Sequence, residues 1–405
     1  MSSRRSPLSL KLCVFLAVQA SATAVLGADP LRAYAADAAP ATAAMTGDAS
    51  VPFTARSGGT APGPASTVDK LLLRQPPTFT YSFAYTLPGT FAFHTTRGYY
   101  LTAINGGGRA AAPTVVTATT TPGAWEQFRI VVNPSNAWDK SIQTAMGNYV
   151  TAVNGGGMTA DALHTDATAI GNWERFRMID LAEGRFAPTW YALYTIGSHT
   201  VTAVGAGGKY DDAIHTDGYQ VGSWEELRPA KCGDLGSGYE YYIIPANGYM
   251  LTAESGGGHH DGYAMIQGYD YGEPDNAQWS RFRLLRQSDG TYALQTSNGV
   301  NYVTALGGGG LVQQYVECST GGWGACLDGV TEIFHTDATQ VSSWEKFRIV
   351  DMGDCKYAIR TTSGFYVGMY QSSHGWMFTT RRSSVTANEK FELVMSSLGS
   401  PPIIH

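Results

Sequence analysis

A block of three short motifs recurs about every fifty residues along this chain of 405 residues. Each block reads approximately Tyr-Val-Thr-Ala, then a run of glycines, then Trp-Glu-x-Phe. The clearest copies are Tyr149–Ala152 with Gly155–Gly157 and Trp173–Phe176, and Tyr302–Ala305 with Gly307–Gly310 and Trp344–Phe347. A repeat of this period is one small supersecondary unit that has been copied, and each unit buries its apolar face only by packing against its neighbours. Six such units, over residues 90–395, therefore constrain the fold more than any other feature.

Each unit is predicted to contain four short β-strands. In the second unit, strands are expected over Ser141–Thr144 and Tyr149–Ala152, followed by a weaker strand and by one that includes Trp-Glu-x-Phe. Phe176 and Met178 alternate with arginines in that last strand, as is typical of a strand with one buried face. The composition agrees, because 48 glycines, 12% aromatic residues and only 15% charged residues suit a loop-rich all-β protein.

Two architectures accommodate six four-stranded units. Three units can close a barrel capped by hairpins, which is the β-trefoil, so six units make two trefoils. A six-bladed propeller of four-stranded blades is the alternative that the residues leave open. We predict two tandem β-trefoils, over residues 80–232 for the first three units and 233–405 for the last three, divided near the glycine-rich segment Pro229–Gly238.

The N-terminal region is typical of an exported protein. Cations precede the apolar stretch Leu12–Ala28, and Ala33–Ala35 has the small-residue pattern of a cleavage site. We therefore expect residues 1–35 to be a signal peptide, with a retained anchor helix as the alternative. Residues 36–79, rich in Ala, Pro, Thr, Ser and Gly, are predicted to be a low-complexity spacer. The protein is then secreted and not held in a membrane after cleavage.

The cysteines fit an oxidising compartment. Cys13 lies within the predicted signal peptide, which leaves Cys232, Cys318, Cys326 and Cys355. Four cysteines in an exported chain suit two disulfides, with three connectivities open. Cys318 and Cys326 lie in an insertion in the fifth unit and would close a local loop, in which case Cys232 pairs with Cys355. No Cys-x-x-Cys spacing occurs, and we expect no metal and no cofactor.

Charge and missing motifs exclude other function classes. The formal net charge is −6, and no run of Lys and Arg follows the first residues, so nucleic acid is not an expected partner. Neither Gly-x-Ser-x-Gly nor His-Glu-x-x-His is present. Asp166 and Glu174 could in principle form a glycosidase pair, but three copies of one active site in a chain are rare. We expect a protein that is not an enzyme.

The chemistry of the repeat points to sugars. In the second unit, Gly155–Gly157 is followed by the sequence His-Thr-Asp and then by Trp-Glu. An indole ring packs on the C–H face of a sugar, polar groups bind its hydroxyls, and glycines let the backbone approach closely. The full set recurs only in units two, three and five. The predicted carbohydrate-binding residues are Trp173, Glu174, His164 and Asp166, Trp224, Glu225, His215 and Asp217, Trp344, Glu345, His335 and Asp337, and, from a partial copy in unit one, Trp125 and Glu126.

The same residues could instead have purely structural roles. A Trp in a β repeat often caps a hairpin, a glycine run is often only a turn, and His and Asp can brace that turn. A His–Asp metal site is a further alternative, because residues two apart on a strand share a face. Co-occurrence favours a ligand set, since units four and six lose the Trp-Glu pair, with Trp279 followed by Ser280 and with Asn388 in the Trp place.

These motifs resemble the fascin-like β-trefoil superfamily, and within it are most similar to secreted bacterial modules of carbohydrate-binding module family 92. The resemblance covers residues 90–395 and implies two trefoils. For that module family it implies β-glucan binding at up to three sites per trefoil, with the Trp and Glu of Trp-Glu-x-Phe touching the sugar. The chain departs from the family in having His-Thr-Asp where such modules tend to have Asn-Arg before the Trp.

The sequence therefore predicts a secreted, non-catalytic, lectin-like protein that binds polysaccharide, with β-glucan as the favoured ligand, at several Trp-Glu sites. A protein-binding module, fascin-like or adhesive, is the first alternative. A secreted glycoside hydrolase with an unrecognised site is the second.

Overall fold

The computed structural model describes residues 84–133, 136–181, 189–268, 276–316, 329–373 and 375–399, and the structural statements below concern these residues. The predicted signal peptide and spacer lie outside them, as do Cys318 and Cys326. Within that part of the chain, no helix has the length and hydrophobicity that a membrane crossing needs.

The first three units form a closed six-stranded barrel. Their strands are β1 (Tyr85–Thr86), β2 (Thr90–Thr95), β3 (Tyr100–Ala103), β4 (Val115–Thr119), β5 (Gln127–Asn133), β6 (Asn136–Gln143), β7 (Tyr149–Ala152), β8 (Leu163–Ala167), β9 (Phe176–Asp180), β10 (Tyr191–Thr195), β11 (Thr200–Ala203), β12 (Ile214–Gly218) and β13 (Leu227–Cys232). Antiparallel pairing runs from β2 through β5, β6, β9, β10 and β13 and back to β2. The hairpins β3–β4, β7–β8 and β11–β12 lie outside this ring and cap it.

The last three units repeat the arrangement. Their strands are β14 (Tyr239–Pro245), β15 (Met250–Ala253), β16 (Met265–Gly268), β17 (Arg281–Arg286), β18 (Tyr292–Gln295), β19 (Tyr302–Ala305), β20 (Tyr315–Val316), β21 (Gly329–Val330), β22 (Phe334–Ala338), β23 (Lys346–Asp351), β24 (Tyr357–Thr361), β25 (Tyr366–Ser372), β26 (Gly375–Arg382) and β27 (Phe391–Met395). The second ring closes through β14, β17, β18, β23, β24 and β27. Its caps are the hairpins β15–β16, β19–β22 and β25–β26.

This pairing is that of two β-trefoils. The first strand of a unit pairs with the last strand of its own unit and with the last strand of the preceding unit, as Tyr191 does with Leu227 and with Asp180. In a propeller each blade would be a separate meander, so the propeller is excluded and the predicted fold class is confirmed. The division of the chain into domains at 232/233 stays a prediction.

In the part of the chain that the structure describes, helical structure consists of single turns that connect or follow strands. One α-helical turn, α1, spans Asn276–Trp279. The 3₁₀ turns are Ile104–Gly106, Ala124–Glu126, Val153–Gly155, Val204–Ala206, Glu254–Gly256, Leu306–Gly308, Ala387–Glu389 and Ser396–Gly399. Most of them carry a glycine-rich segment or a Trp-Glu pair, so the repeat motifs lie where strands end.

The apolar side chain at the last position of Trp-Glu-x-Phe packs in the interior of each barrel. Each copy of this residue is buried, and it opens or closely follows the start of the last strand of its unit; the six copies are Phe128, Phe176, Leu227, Phe282, Phe347 and Phe391. The core prediction for Phe176 and Met178 is confirmed. Removing six large apolar side chains from water in this way favours ring closure in both barrels.

The two barrels are joined directly. Ala230 of β13 pairs with Val394 of β27, and the hydroxyl of Tyr357 donates to the carbonyl of Gly233 at 2.8 Å. A disulfide links Cys232, at the end of β13, to Cys355, just before β24. This bridge is one of the pairings that the sequence left open, and it ties the last strand of the first barrel to the second barrel.

Candidate functional site

Where a unit has the Trp-Glu pair, the pair lies in a tight turn just before the last strand of that unit rather than within the strand. Trp173, for example, precedes β9, which begins at Phe176. The indole rings of Trp173, Trp224 and Trp344 are 46%, 47% and 46% exposed. Trp125 of unit one is more buried. Large half-exposed rings therefore occur at the same place in units two, three and five, the units that carry the full motif.

The glutamate of each pair is a brace for this turn. Glu174 is only 8% exposed, and its Oε1 accepts a hydrogen bond from the hydroxyl of Thr151 at 2.7 Å. Its Oε2 accepts from the backbone N–H of Gly171, also at 2.7 Å. The same bonds form at Glu225, from Thr202 and Gly222, and at Glu345, from Thr304 and Ser342. Because both carboxylate oxygens bind the scaffold, the geometry favours a role in positioning the Trp turn, and the predicted glutamate–sugar contact stays a prediction.

The sixth unit separates the brace from the Trp. Its Glu389 is buried and accepts hydrogen bonds from the backbone N–H and the hydroxyl of Thr386, at 2.8 and 2.6 Å. Asn388 stands where the other units have Trp. The fold therefore keeps a glutamate in this turn where no indole is present, so the glutamate of unit six serves the scaffold without a Trp beside it.

Electrostatics agree with a bracing role at Glu345. Burial alone would raise the pKa of its carboxyl, but hydrogen bonds from Ser342 and Thr304 outweigh burial, and the pKa lies below its ordinary value. A general acid in glycoside hydrolysis needs the opposite, a carboxyl whose pKa is raised. Glu345 is thus suited to accept hydrogen bonds as a carboxylate at neutral pH.

The glycine loops bind the next unit. The N–H of Gly157 donates to the carbonyl of Thr216 at 2.6 Å, and the N–H of Thr216 donates to the carbonyl of Met158 at 2.8 Å. A Cβ on Gly156, whose φ is +105°, would overlap the hydroxyl of Thr195. The same docking joins Gly108 to Thr165, Gly208 to Thr117, Gly258 to Thr336 and Gly310 to Thr380. The threonine of His-Thr-Asp is therefore a buried docking residue, and the glycines are required by packing between units.

The histidines pair with acidic residues three positions earlier. The Nε2 atoms of His164, His215 and His335 lie 3.0, 2.6 and 3.1 Å from carboxylate oxygens of Asp161, Asp212 and Glu332. The hydrogen bond from His215 lowers the pKa of Asp212. These acidic partners were not predicted from the sequence, although their spacing of three recurs in all three units.

The predicted sugar-binding residues fall into two separate clusters, the Trp-Glu turn and the histidine with its acidic neighbours. Asp217 and Asp337 lie 3.9 and 4.0 Å from their histidines, while the carbonyl of Asp166 accepts a hydrogen bond from Asn148. Among the described residues, no hydrogen bond or ring contact joins these histidines to the Trp rings, and no group of three or more His, Cys, Asp or Glu could hold a metal ion. The Trp turn and the His–acid pair are separate features of the unit.

The surroundings of each exposed Trp come from the next unit. Beside Trp173, the N–H of Gly197 donates to the carbonyl of Gly155 at 3.0 Å, which places the exposed Ile196 against the glycine loop. His199 packs under the same loop, and its ring centre lies 4.6 Å from that of the exposed Tyr219. Ile196 and His199 were not predicted from the sequence because they lie in the turn between the first and second strands of a different unit, and Tyr219 follows the third strand of that unit.

Corresponding residues flank the other two exposed Trp rings. Next to Trp224, Tyr99 packs against the glycine loop, and Arg97 donates to the carbonyl of Gly205 at 3.3 Å. Next to Trp344, Phe365 packs against the loop at Gly309 and Gly310. Because unit three contacts unit one, the barrel closure itself completes the Trp224 site.

An aromatic ring in this position accompanies each exposed Trp. His199, Tyr99 and Phe365 hold the position beside the three full motifs. Beside the glycine loops of units one and four the position is held by Asn148 and Asn301, whose amides donate to the carbonyls of Asp166 and Asp337. The three complete sites therefore share an indole, a glycine loop and a second ring, and this combination makes a partly apolar surface with backbone groups at its edge.

Comparison with known proteins yields a fold likeness only. No protein-family model matches the chain, and no curated protein matches it. Among solved structures, the chain is similar to the designed threefold-symmetric protein ThreeFoil (TM-score 0.30, 14% identity, 35% of this chain and 97% of that one). It is also similar to the BEL β-trefoil (TM-score 0.28, 8% identity, 40% and 97%) and to a lectin of Polyporus squamosus (TM-score 0.27, 13% identity, 40% and 50%). At these TM-scores the likenesses say nothing about what this chain binds; the β-trefoil assignment follows from its own strand pairing.

Proposed function

We propose that this protein binds polysaccharide through the exposed Trp turns of units two, three and five. The observation that carries the proposal is the exposure of Trp173, Trp224 and Trp344, which is nearly equal in the three units although their other neighbours differ. An exposed indole costs stability that a buried one would contribute, since apolar surface stays in water. Three such rings, each held by a braced turn, are well suited to pack against an apolar sugar face.

Each group of residues in a site would contact a different part of the sugar. The indole packs on the C–H face of one sugar ring, and the second ring of the site, His199 beside Trp173, contributes the flank. The N–H groups of Gly156 and Gly157 already donate within the fold, so carbonyl oxygens of the glycine loop are the backbone groups that would accept hydrogen bonds from sugar hydroxyls. A site of this size is expected to bind weakly, near millimolar or about −4 kcal/mol.

Several weak sites on one body favour a polymeric ligand. Once one site is occupied, a chain-like polysaccharide presents further sugars at high effective concentration to the others. We propose β-glucan as the ligand because of the module family that the repeat motifs resemble. We further propose that the protein is secreted and acts without catalysis, by retaining or cross-linking glucan.

Retention on insoluble β-glucan tests the proposal. The wild-type protein is expected to bind, and the Trp173→Ala, Trp224→Ala, Trp344→Ala variant is expected to stay in the supernatant. The matched control is Tyr263→Ala with Val300→Ala, which removes exposed apolar side chains outside the three sites. Retention of the triple variant at the wild-type level would refute sugar binding at these rings.

The same preparation distinguishes the alternatives. Loss of retention in the control variant as well as the triple variant would indicate general hydrophobic adhesion, as a protein-binding surface would show. Release of reducing sugar from glucan by the wild-type protein would indicate a hydrolase. A glycan array read with the wild-type and triple variants then identifies the sugar.

A further inference from the structure

The arginine that follows Trp-Glu-x-Phe has an unusual neighbour in the fifth unit. In other units this arginine lies opposite a residue without a fixed positive charge on the adjacent strand: Arg129 opposite Gln143, Arg177 opposite Tyr194, Arg228 opposite His94 and Arg283 opposite Gln295. In the fifth unit Arg348 lies directly opposite Arg360. Like charges directly opposite each other on paired strands repel, so this pair is unfavourable in the absence of an anion.

Neither arginine of the pair has a carboxylate partner among the residues that the structure describes. Arg177 and Arg283 have acidic neighbours, Asp139 at 3.8 Å and Glu240 at 2.9 Å. Arg348 and Arg360, in contrast, form no ion pair with a carboxylate of the described residues. Two guanidinium groups thus lie side by side on the outer wall of the second barrel without a counter-charge of their own.

A cavity of about 440 Å³ opens at this pair. It is lined by Arg348 and Arg360 together with the hydroxyl-bearing residues Thr291, Thr362 and Ser363. Asp289 also lines it, but its carboxylate is engaged by the Lys346 ammonium at 2.8 Å and by Thr291. Because Lys346 neutralises Asp289, the two arginines leave the lining with a net positive charge. The volume is in the range that suits a small ligand such as a monosaccharide.

Arg360 is held in one orientation. Its Nε donates to the carbonyl of Gly364 at 3.0 Å, and its guanidinium carbon lies 5.5 Å from the centre of the Tyr366 ring. In units two and five, Gln143 and Gln295 make the corresponding bond to Gly147 and Gly299. Arg360 thus keeps the structural bond of a glutamine and adds two terminal NH₂ groups, which form a planar fork that matches a carboxylate or sulfate.

The cavity adjoins the Trp344 site. The hydroxyl of Thr362 donates to the carbonyl of Ser343 at 2.9 Å, next to the indole. Ser363 and the Trp344 ring both lie against Gly308. A sugar chain packed on Trp344 can therefore extend over the turn Thr362–Ser363 into the cavity.

We propose that this cavity binds the anionic group, carboxylate or sulfate, of a sugar that neighbours the one packed on Trp344. The inference rests on the proposed polysaccharide binding and adds that the fifth unit selects an acidic glycan. Attraction is local, because the whole chain carries a formal charge of −6 and would repel a polyanion elsewhere.

The test uses one glucan in three forms: neutral, oxidised at C6 to the uronate, and sulfated. The full-length protein carrying Trp173→Ala and Trp224→Ala reports the Trp344 site alone, and its affinity is measured by electrophoresis through gels that contain each polymer. We expect at least one anionic form to bind about tenfold more tightly than the neutral form at low salt, as one charge-assisted pair would give. The arms with uronate and sulfate show which anion is preferred.

The decisive variant is Arg348→Gln with Arg360→Gln. At position 360 the glutamine is the residue that Gln143 and Gln295 provide at the corresponding place in other units. This variant should bind the anionic and neutral polymers equally well, and its affinity for the neutral polymer should equal that of the parent protein. Arg129→Gln with Arg286→Gln, two exposed arginines outside the cavity, removes the same charge and should keep the gain. Equal affinity for neutral and anionic forms, or a gain that survives in the cavity variant, would overturn the inference. Absence of binding to every form would overturn the proposed function itself.

Discussion

The bracing of the Trp turn can be tested by deleting one hydroxyl, in Thr151→Val. The hydroxyl donates to Glu174 at 2.7 Å, and Glu174 is 8% exposed, so water can replace the lost donor only poorly. A hydrogen bond to a charged group contributes about 1.5–3 kcal/mol, and valine keeps the shape of threonine. We therefore expect Thr151→Val to lower the free energy of unfolding of the first barrel by about 2 kcal/mol.

Unit one offers a matched control in the same barrel. The corresponding hydroxyl of Thr102 is buried but has no hydrogen-bond partner among the described residues. Thr102→Val should therefore change the free energy of unfolding by less than about 0.5 kcal/mol, within the range of a neutral substitution. Urea unfolding followed by Trp fluorescence compares the two variants. Equal losses in both, or no loss in Thr151→Val, would refute the brace.

Three other contacts can be tested by unfolding measurements. Gly156→Ala should destabilise by about 2 kcal/mol or more, measured by urea unfolding, because its φ is +105° and its Cβ would overlap Thr195. Burial lowers the pKa of Lys231 to about 7, so the unfolded chain binds more protons between pH 7 and 10 and the free energy of unfolding should rise with pH there. Burial also lowers the pKa of Lys140 to about 7, so Lys231→Met should reduce that rise without abolishing it, in unfolding midpoints measured from pH 7 to 9. Replacing Cys232 and Cys355 by Ser opens a bridge that spans 123 residues and should cost about 3–5 kcal/mol by thermal or urea unfolding, whereas unchanged midpoints would show that the bridge does not stabilise the fold.

Much of the fold could be predicted from the sequence because its determinants are local. The second strands Tyr149–Ala152 and Tyr302–Ala305 begin and end where the motif does. Other boundaries were less well predicted: Ser141–Thr144 was expected as a strand, and β6 instead spans Asn136–Gln143. Ring closure extends that strand, since Asp139 and Lys140 pair with β9, and such pairing depends on residues far away in the chain.

The candidate site was predicted less well, for a physical reason. Trp173 lies just before β9, next to Gly171 and Asn172, and its ring is half-exposed, whereas the whole Trp-Glu-x-Phe motif was expected to lie within the strand. The binding of Glu174 to Thr151 could not be inferred, because a carboxylate next to an indole is equally compatible with a brace and a sugar ligand. The ring of His199 lies in another unit, and only the closure of the barrel places it beside the Trp173 loop.

We propose that the three Trp turns bind sugar independently on one scaffold. The most direct test counts the short β-glucan oligosaccharides bound per chain by calorimetry or NMR titration, across single, double and triple Ala variants of Trp173, Trp224 and Trp344. The number of oligosaccharides bound per chain should fall from three to two, one and none, while the affinity for polymer decreases at every step. A count that does not change in the triple variant, or that falls to none with a single substitution in a folded protein, would contradict it.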